Sequence, residues 1–304
     1  MSPQPSRPFR LRDASSNSLH CLLVEHGSSI LKVEGVIVAL IKQVEPMLFF
    51  EDEFSRKDEV RGLMALADRI GFRRVPFQSP QHKAFTRTIS GYNFRERLST
   101  DRPWIPTVAQ SEAAVYGILT TDIDDKLGWK DPDFNPVMDN CRYSCQGRSF
   151  YVADNGACGL APLAAKQGDI VTVLLGCDTA MILHPNADGS YKLVGAAYCD
   201  GFGTGEALLG PLPDSFEVVW KNDENVAGYQ LRRAYMHTET GKFQVEDPRK
   251  GSLPPGWEIR SHAGDQFCQL FANKESGKKT WDDPRLTSKE LRKRGVPLQV
   301  FNLV

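Results

Sequence analysis

Between Gly147 and Gly210 the chain alternates strand-forming runs with turn residues, and this alternation limits the possible folds more than anything else in the sequence. The runs Ser149–Ala153, Ile170–Gly176, Ala180–His184 and Tyr191–Tyr198 are rich in β-formers, each bounded by Gly, Asn, Asp or Pro. Asn155-Gly156 and Asp188-Gly189 tolerate the positive φ of tight hairpin turns, so the strands are expected to run antiparallel. Ile170–Leu175 is apolar on both faces except at Thr172, the pattern of a central strand covered on both sides. Residues 147–210 therefore read as an antiparallel β meander or small barrel with its own core. Gly201–Gly205 reads as a tight turn leading into Glu206–Leu209.

Upstream, residues 1–18 hold three prolines and five serines and read as a disordered tail. Residues 19–146 form a helix-rich α+β region. His20–Val24 and Ile30–Val44 are β-rich and predict a hairpin turned at His26–Ser29. From Ser55, a natural helix cap, Val60, Leu63, Met64, Ala67 and Ile70 recur at helical spacing until Gly71. Further helices are expected over Lys83–Tyr92 and Ser111–Leu119, and Lys130–Pro136 interrupts the pattern before the β unit. The fold class is α+β, with helices flanking the β core and two small β units after it.

Chemistry is harder to find. Lys+Arg 37 against Asp+Glu 38 gives a net charge of −1, so no global field draws the chain to nucleic acid or to an anionic membrane. No apolar run approaches the roughly 20 residues that span a bilayer, and the first residues lack a signal-peptide core. A cytoplasmic protein with reduced thiols is expected, since seven cysteines are an odd number scattered along 304 residues. Asp122–Asp125 spells the DxDD string of protonating terpene cyclases but reads as an acidic loop. Cys141 and Cys145 make one pair where structural zinc wants two, so they read as buried free thiols. Gly201-Phe202-Gly203-Thr204-Gly205 puts Glu206 where a phosphate loop needs glycine. No two of His20, His26, His82, His184, His237 and His262 stand at metal-binding spacing. No cofactor and no metal are expected.

Beyond Pro213 the chain repeats. Glu239-Thr240-Gly241-Lys242 and Glu246-Asp247-Pro248-Arg249 recur as Glu275-Ser276-Gly277-Lys278 and Asp282-Asp283-Pro284-Arg285 at an offset of 36 residues. The second copy, 252–286, closely resembles a WW domain: Leu253-Pro254-Pro255-Gly256-Trp257 opens it, Phe271 and Asn273 lie on its middle strand, and Trp281 is followed by Pro284. The resemblance implies a three-stranded sheet in which Trp257 stacks on Pro284, with a peptide groove on the other face. Trp281 supplies one groove wall, but Leu270 stands opposite, then Ala272, and Lys279 stands where Thr is usual. The first copy, 214–250, has Val245 in place of the second Trp and keeps only a buckle of Trp220 and Pro248. Leu286–Gly295 reads as a short basic helix capped by Thr287, and Leu298–Val304 as an edge strand, so 287–304 closes the chain.

An ordered set of stretches resembles the region after the signature domain of fungal heterokaryon-incompatibility (HET) proteins. It comprises Leu31–Gly35, Ala84–Thr88, Gly147–Tyr151, Gly168–Val171, Tyr191–Gly195 with Tyr198, Gly201 and Gly205–Ala207, and the Asp-Pro-Arg repeats. The signature domain to which the family's cell-death activity is attributed has no counterpart here, so the resemblance implies a portion lacking the effector. Three readings follow. The first is a non-enzymatic interaction or regulatory module of fungal self-recognition, with an incompatibility protein as partner. The second is an adaptor that binds proline-rich peptides through Trp281, Leu270, Ala272 and Lys279. The third is an enzyme using Asp200 or Glu206 with Cys199 at the mouth of the β unit.

Overall fold

A computed structural model of the chain describes residues 22–24, 30–51, 53–98, 104–120, 134–222, 231–262 and 265–304. The expected tail at 1–18, the turn at His26–Ser29 and the Asp122–Asp125 string lie outside them. β1 (Leu22–Val24) pairs antiparallel with the start of β2 (Leu31–Pro46), as the hairpin reading requires. α1 (Arg56–Arg69) begins at Ser55, whose hydroxyl accepts from the Asp58 N–H at 3.3 Å while the Asp58 carboxylate accepts from the Ser55 N–H at 3.2 Å. This reciprocal capping box satisfies two donors that a helix start leaves open. α2 (Pro80–Ile89) starts three residues before the expected Lys83, because Ser79 caps it and Pro80 suits the first turn. α3 (Arg95–Leu98) and α4 (Val108–Thr120) follow. α5 (Phe134–Cys145) takes in Phe134–Pro136 of the stretch read as a break, whose first four residues, 130–133, lie outside the described ones. Pro136 falls in the first turn, where its missing N–H has no helical acceptor to lose.

The β unit comprises β3 (Arg148–Ala153), β4 (Cys158–Pro162), β5 (Ile170–Leu174), β6 (Ala180–Pro185) and β7 (Tyr191–Cys199). Gly156 and Gly189 both take φ of 81° in the two hairpin turns, which is why Asn-Gly and Asp-Gly stand there. The sheet is a closed barrel and not an open meander. β4 pairs with β7, and β2 bridges β3 and β5, giving the antiparallel ring β2–β3–β4–β7–β6–β5. Its sixth wall thus comes from β2, outside 147–210. Register shifts at Ile37/Ala39, Ile41/Gln43 and Ile182/Leu183 bend the strands, as closure requires.

Three apolar layers follow from the alternation of side chains. Val36, Ile41, Tyr151, Val171, Val173 and Ile182 fill the interior. Gly159 is required there: a Cβ would lie 2.0 Å from the Tyr198 carbonyl oxygen and 2.4 Å from the Tyr151 hydroxyl. Outward-facing Phe150, Leu160 and Tyr198 pack under α1, α2, α4 and α5. Cys141 and Cys145, one turn apart on α5, are buried in that layer, where the Cys145 thiol donates to the Ile89 carbonyl at 3.1 Å.

After α6 (Glu206–Leu209) come two antiparallel three-stranded sheets. β8 (Phe216–Asn222), β9 (Leu231–His237) and β10 (Phe243–Gln244) form the first; β11 (Trp257–His262), β12 (Asp265–Asn273) and β13 (Lys279–Thr280) form the second. The chain then returns to the barrel. Leu286 and Leu291, the latter on α7 (Ser288–Lys293), are fully buried in the interior cluster. β14 (Gln299–Leu303) pairs antiparallel with Leu31–Gly35 of β2, and its Phe301 and Leu303 cover Val33, Leu174 and Leu183 on the outer face. The short basic helix docks through Leu291, while its Lys289, Arg292 and Lys293 stay exposed. Glu34 of β2 accepts from Ser288 and pairs with Arg292. The repeats form a loop whose two ends lie in one buried cluster, since Leu208 before them and Leu286 after them both belong to it. Among the described residues no helix is long and apolar enough to cross a membrane.

Candidate functional site

At the mouth of the barrel, where β7 ends, Asp200 accepts from Arg87 Nε at 2.8 Å, from Arg87 Nη2 at 2.7 Å and from the Tyr198 hydroxyl at 2.8 Å. This two-pronged pair fastens α2 to the barrel. Glu206 accepts from the Thr204 N–H at 2.8 Å and from the Thr204 hydroxyl, closing the turn ahead of α6. Burial pushes the Cys199 thiol up to about 12, with the Asp200 and Glu206 charges adding to it. Cys158, 3.2 Å from the Thr88 hydroxyl, is likewise pushed up to about 12 by burial. These thiols are protonated at neutral pH and are poor nucleophiles. The three residues of the enzyme reading are neighbours, and the two carboxylates each serve a structural bond.

Both repeats have the same construction. Gly210-Pro211-Leu212-Pro213 precedes β8 as Gly251-Ser252-Leu253-Pro254 precedes β11, and Phe216 and Trp257 donate from their N–H groups to the Pro213 and Pro254 carbonyls at 2.8 and 3.2 Å. Phe216 pairs with His237 and Trp257 with Asn273, the last residue of each middle strand. Phe216, not Trp220, is thus the counterpart of Trp257. The sequence hides this because the first hairpin of repeat one is longer, so the offset is 41 residues before it and 36 after it. Trp220 instead faces Arg97 of α3, whose guanidinium lies 4.9 Å from its ring centroid and 4.1 Å from that of Tyr92. It docks the repeat on the helical layer.

The Asp-Pro-Arg strings close each repeat. Arg249 donates to the Asp247 carboxylate at 2.9 and 2.7 Å, and to the carbonyls of Gly210 at 2.8 Å and Thr204 at 2.7 Å. Arg285 donates to Asp283 at 2.9 and 2.8 Å and to the Gly251 carbonyl at 2.9 Å. Each arginine therefore clasps the glycine that opens its own repeat. Arg285 also pairs with Glu246, and Lys250 with Asp283 at 3.1 Å, which joins the two units. Burial pushes the Asp247 and Asp283 carboxyls up, but their arginine partners, with Tyr235 at Asp247 and Lys250 at Asp283, outweigh it and hold both below the ordinary value.

The residues expected to bind peptide are gathered on the second sheet only in part. Leu270 is half-buried opposite Arg260 on β11. Ala272, read as facing outward, is buried. Lys279 is exposed and pairs with Ala272 across the strands, and Trp281, just past β13, is half-buried. Glu258 pairs with Arg260 two residues along β11 at 2.6 Å and with Lys274, just past β12, at 3.2 Å. Of the structural residues, Phe271 and Pro284 are buried and Trp257, Trp220 and Pro248 half-buried. Asn273 accepts from the Glu275 and Ser276 N–H groups at 3.1 and 2.8 Å, which shapes the second turn.

The fold is that of a closed antiparallel β-barrel protein with a helical layer on one side and a cassette of two clasped small sheets. Residues 134–211, which are α5, β3–β7 and α6, match the family model of the Het-6 beta-barrel domain. A 64-residue stretch is 38% identical to heterokaryon incompatibility protein 6, OR allele, of Neurospora crassa, and covers 20% of this chain and 9% of that protein. No solved structure matches. Through its barrel the chain is similar to heterokaryon-incompatibility proteins. The sixth barrel strand, β2, and the cassette lie outside the matched residues.

Proposed function

We propose that the chain is a non-enzymatic interaction or regulatory module of the heterokaryon-incompatibility type, working through a protein partner in the cytoplasm. The observation that carries this reading is the match of 134–211 to the Het-6 barrel. It is supported by the mouth of that barrel, where Arg87 and Asp200 are spent on fastening α2 and the Cys199 thiol is held protonated. The test is expression of the chain in a fungal host crossed against strains carrying different incompatibility loci. Loss of fusion-cell viability that depends on one partner locus is expected; no effect with any partner overturns the reading.

A second reading, an adaptor for proline-rich peptides, is favoured by the antiparallel order β11–β12–β13 and by the place of Trp281 directly after β13. A proline-rich peptide array decides it. An adaptor binds such peptides and loses them on Trp281→Ala, whereas an array blank for the unaltered chain removes this reading and leaves the first standing.

A further inference from the structure

Arg285 and Leu286 are consecutive residues on one 3-10 turn, Pro284–Leu286. Arg285 closes the second repeat by clasping Asp283 and the Gly251 carbonyl, and Leu286 is fully buried among the side chains that fill the barrel. Such a turn spans only about 2 Å per residue, so neither residue can shift far without the other. α7 follows at once, placing Leu291 in the same interior cluster, and β14 then covers the outer face of β2. Arg294 donates back to the carbonyls of Arg249 and Lys250, in the link between the repeats.

We infer that the second repeat is a latch on the barrel: when its clasp opens, the segment 286–303 is drawn out of the barrel's interior and off its outer face together. The two halves of the contact lie on one short turn, so this coupling needs no long pathway of side chains. The six pairings that close the ring β2–β3–β4–β7–β6–β5 do not involve this segment, which adds β14 only along Leu31–Gly35 of β2 and at Tyr191 of β7. Release therefore exposes the apolar interior around Val36, Ile41 and Tyr151 and the β2 edge at Leu31–Gly35, without dismantling the ring. A partner that engages the second repeat then controls a surface on the barrel, and the first repeat, clasped by Arg249 to Gly210 and Thr204, does not.

Hydrogen exchange of the full chain, read peptide by peptide, tests this. Arg285→Met removes the clasp and keeps an apolar stem. Exchange over 270–273 and over 299–303 is expected to rise together, by the same factor of about ten or more, while 148–153 stays protected. Arg249→Met, the matched change in the first repeat, is expected to raise exchange in 233–237 and leave 299–303 unchanged. Faster exchange at 270–273 with 299–303 as protected as before overturns the latch, as does loosening of 299–303 by both variants alike or no change at 270–273. If Arg285→Met does not fold, Leu291→Ala decides the matter from the other side, because coupling is reciprocal. It must raise exchange at 270–273 as well as at 299–303, and a rise at 299–303 alone overturns the proposal.

Discussion

Gly159 and His82 show how single residues set conditions for the fold. A methyl group at Gly159 has no room, because the Tyr198 carbonyl and the Tyr151 ring occupy it. Gly159→Ala is expected to destabilise the chain by at least about 1–3 kcal/mol, the usual range for overpacking. Gly168, with φ of 92° but open space around its Cβ position, is expected to lose only about 1 kcal/mol on the same change. Thermal or urea unfolding of both variants checks the order; equal losses count against the tight interior. His82 is fully buried on α2, against Phe77 and Tyr116, and its Nδ1 accepts from the Gln78 N–H at 3.3 Å. Burial holds its pKa below the ordinary 6.5; Glu112 on α4 opposes that shift and neighbouring Lys83 adds to it. A depressed histidine favours the neutral form in the folded state, so its contribution is intact above about pH 6.5 and is lost as pH falls below that value. His82→Gln is expected to flatten the pH dependence of stability between pH 7 and 5, as measured by urea unfolding.

The repeats are elements closed by charge as well as by aromatic packing. Asp247 and Asp283 have folded pKa values below the ordinary 3.8, so their clasps contribute fully above that value, weaken as pH falls below it and are lost as pH passes the lower folded values. Exchange protection in 233–237 and 270–273 is expected to drop below about pH 4 while 148–153 stays protected, and equal loss in all three segments would contradict this. Phe216→Ala is expected to unfold repeat one, at about 1.5–3 kcal/mol for a half-buried aromatic. Trp220→Ala leaves the sheet intact and loosens its seat on α3, at about 0.5–2 kcal/mol for the lost cation–π contact. Exchange over 216–222 compared with that over 95–97 separates the two outcomes. Much of this was legible where local chemistry is sufficient, as in the Ser55 cap, the Asn-Gly and Asp-Gly turns and the repeated Asp-Pro-Arg. It failed where a residue's role depends on a distant partner. Cys158–Pro162, poor in β-formers apart from Leu160, is a strand because β3 and β7 hold it on both sides. The equivalence of Phe216 and Trp257 was masked by an unequal hairpin.

At the scale of the whole molecule, β2 is the spine. Its residues pair in turn with β1 and β14, then β5, then β3, so segments more than a hundred residues apart in sequence must meet before the ring closes. Such long-range pairing makes folding slow. Removing residues 287–304 takes Leu291 from the interior and Phe301 and Leu303 from the outer face while leaving all six ring strands. Truncating buried leucines costs about 2–5 kcal/mol each, so the shortened chain is expected to melt well below the full one or to bind a hydrophobic dye when cold, and unchanged melting would contradict the packing described. The return of the chain to β2 also has a meaning during synthesis. β2 is translated some 250 residues before the strand that shields its first residues. Until Leu303 emerges, the nascent barrel displays an open edge and a bare apolar face, features that invite chaperones and proteases. A chain that stops short of Leu303 therefore keeps that edge and that face exposed.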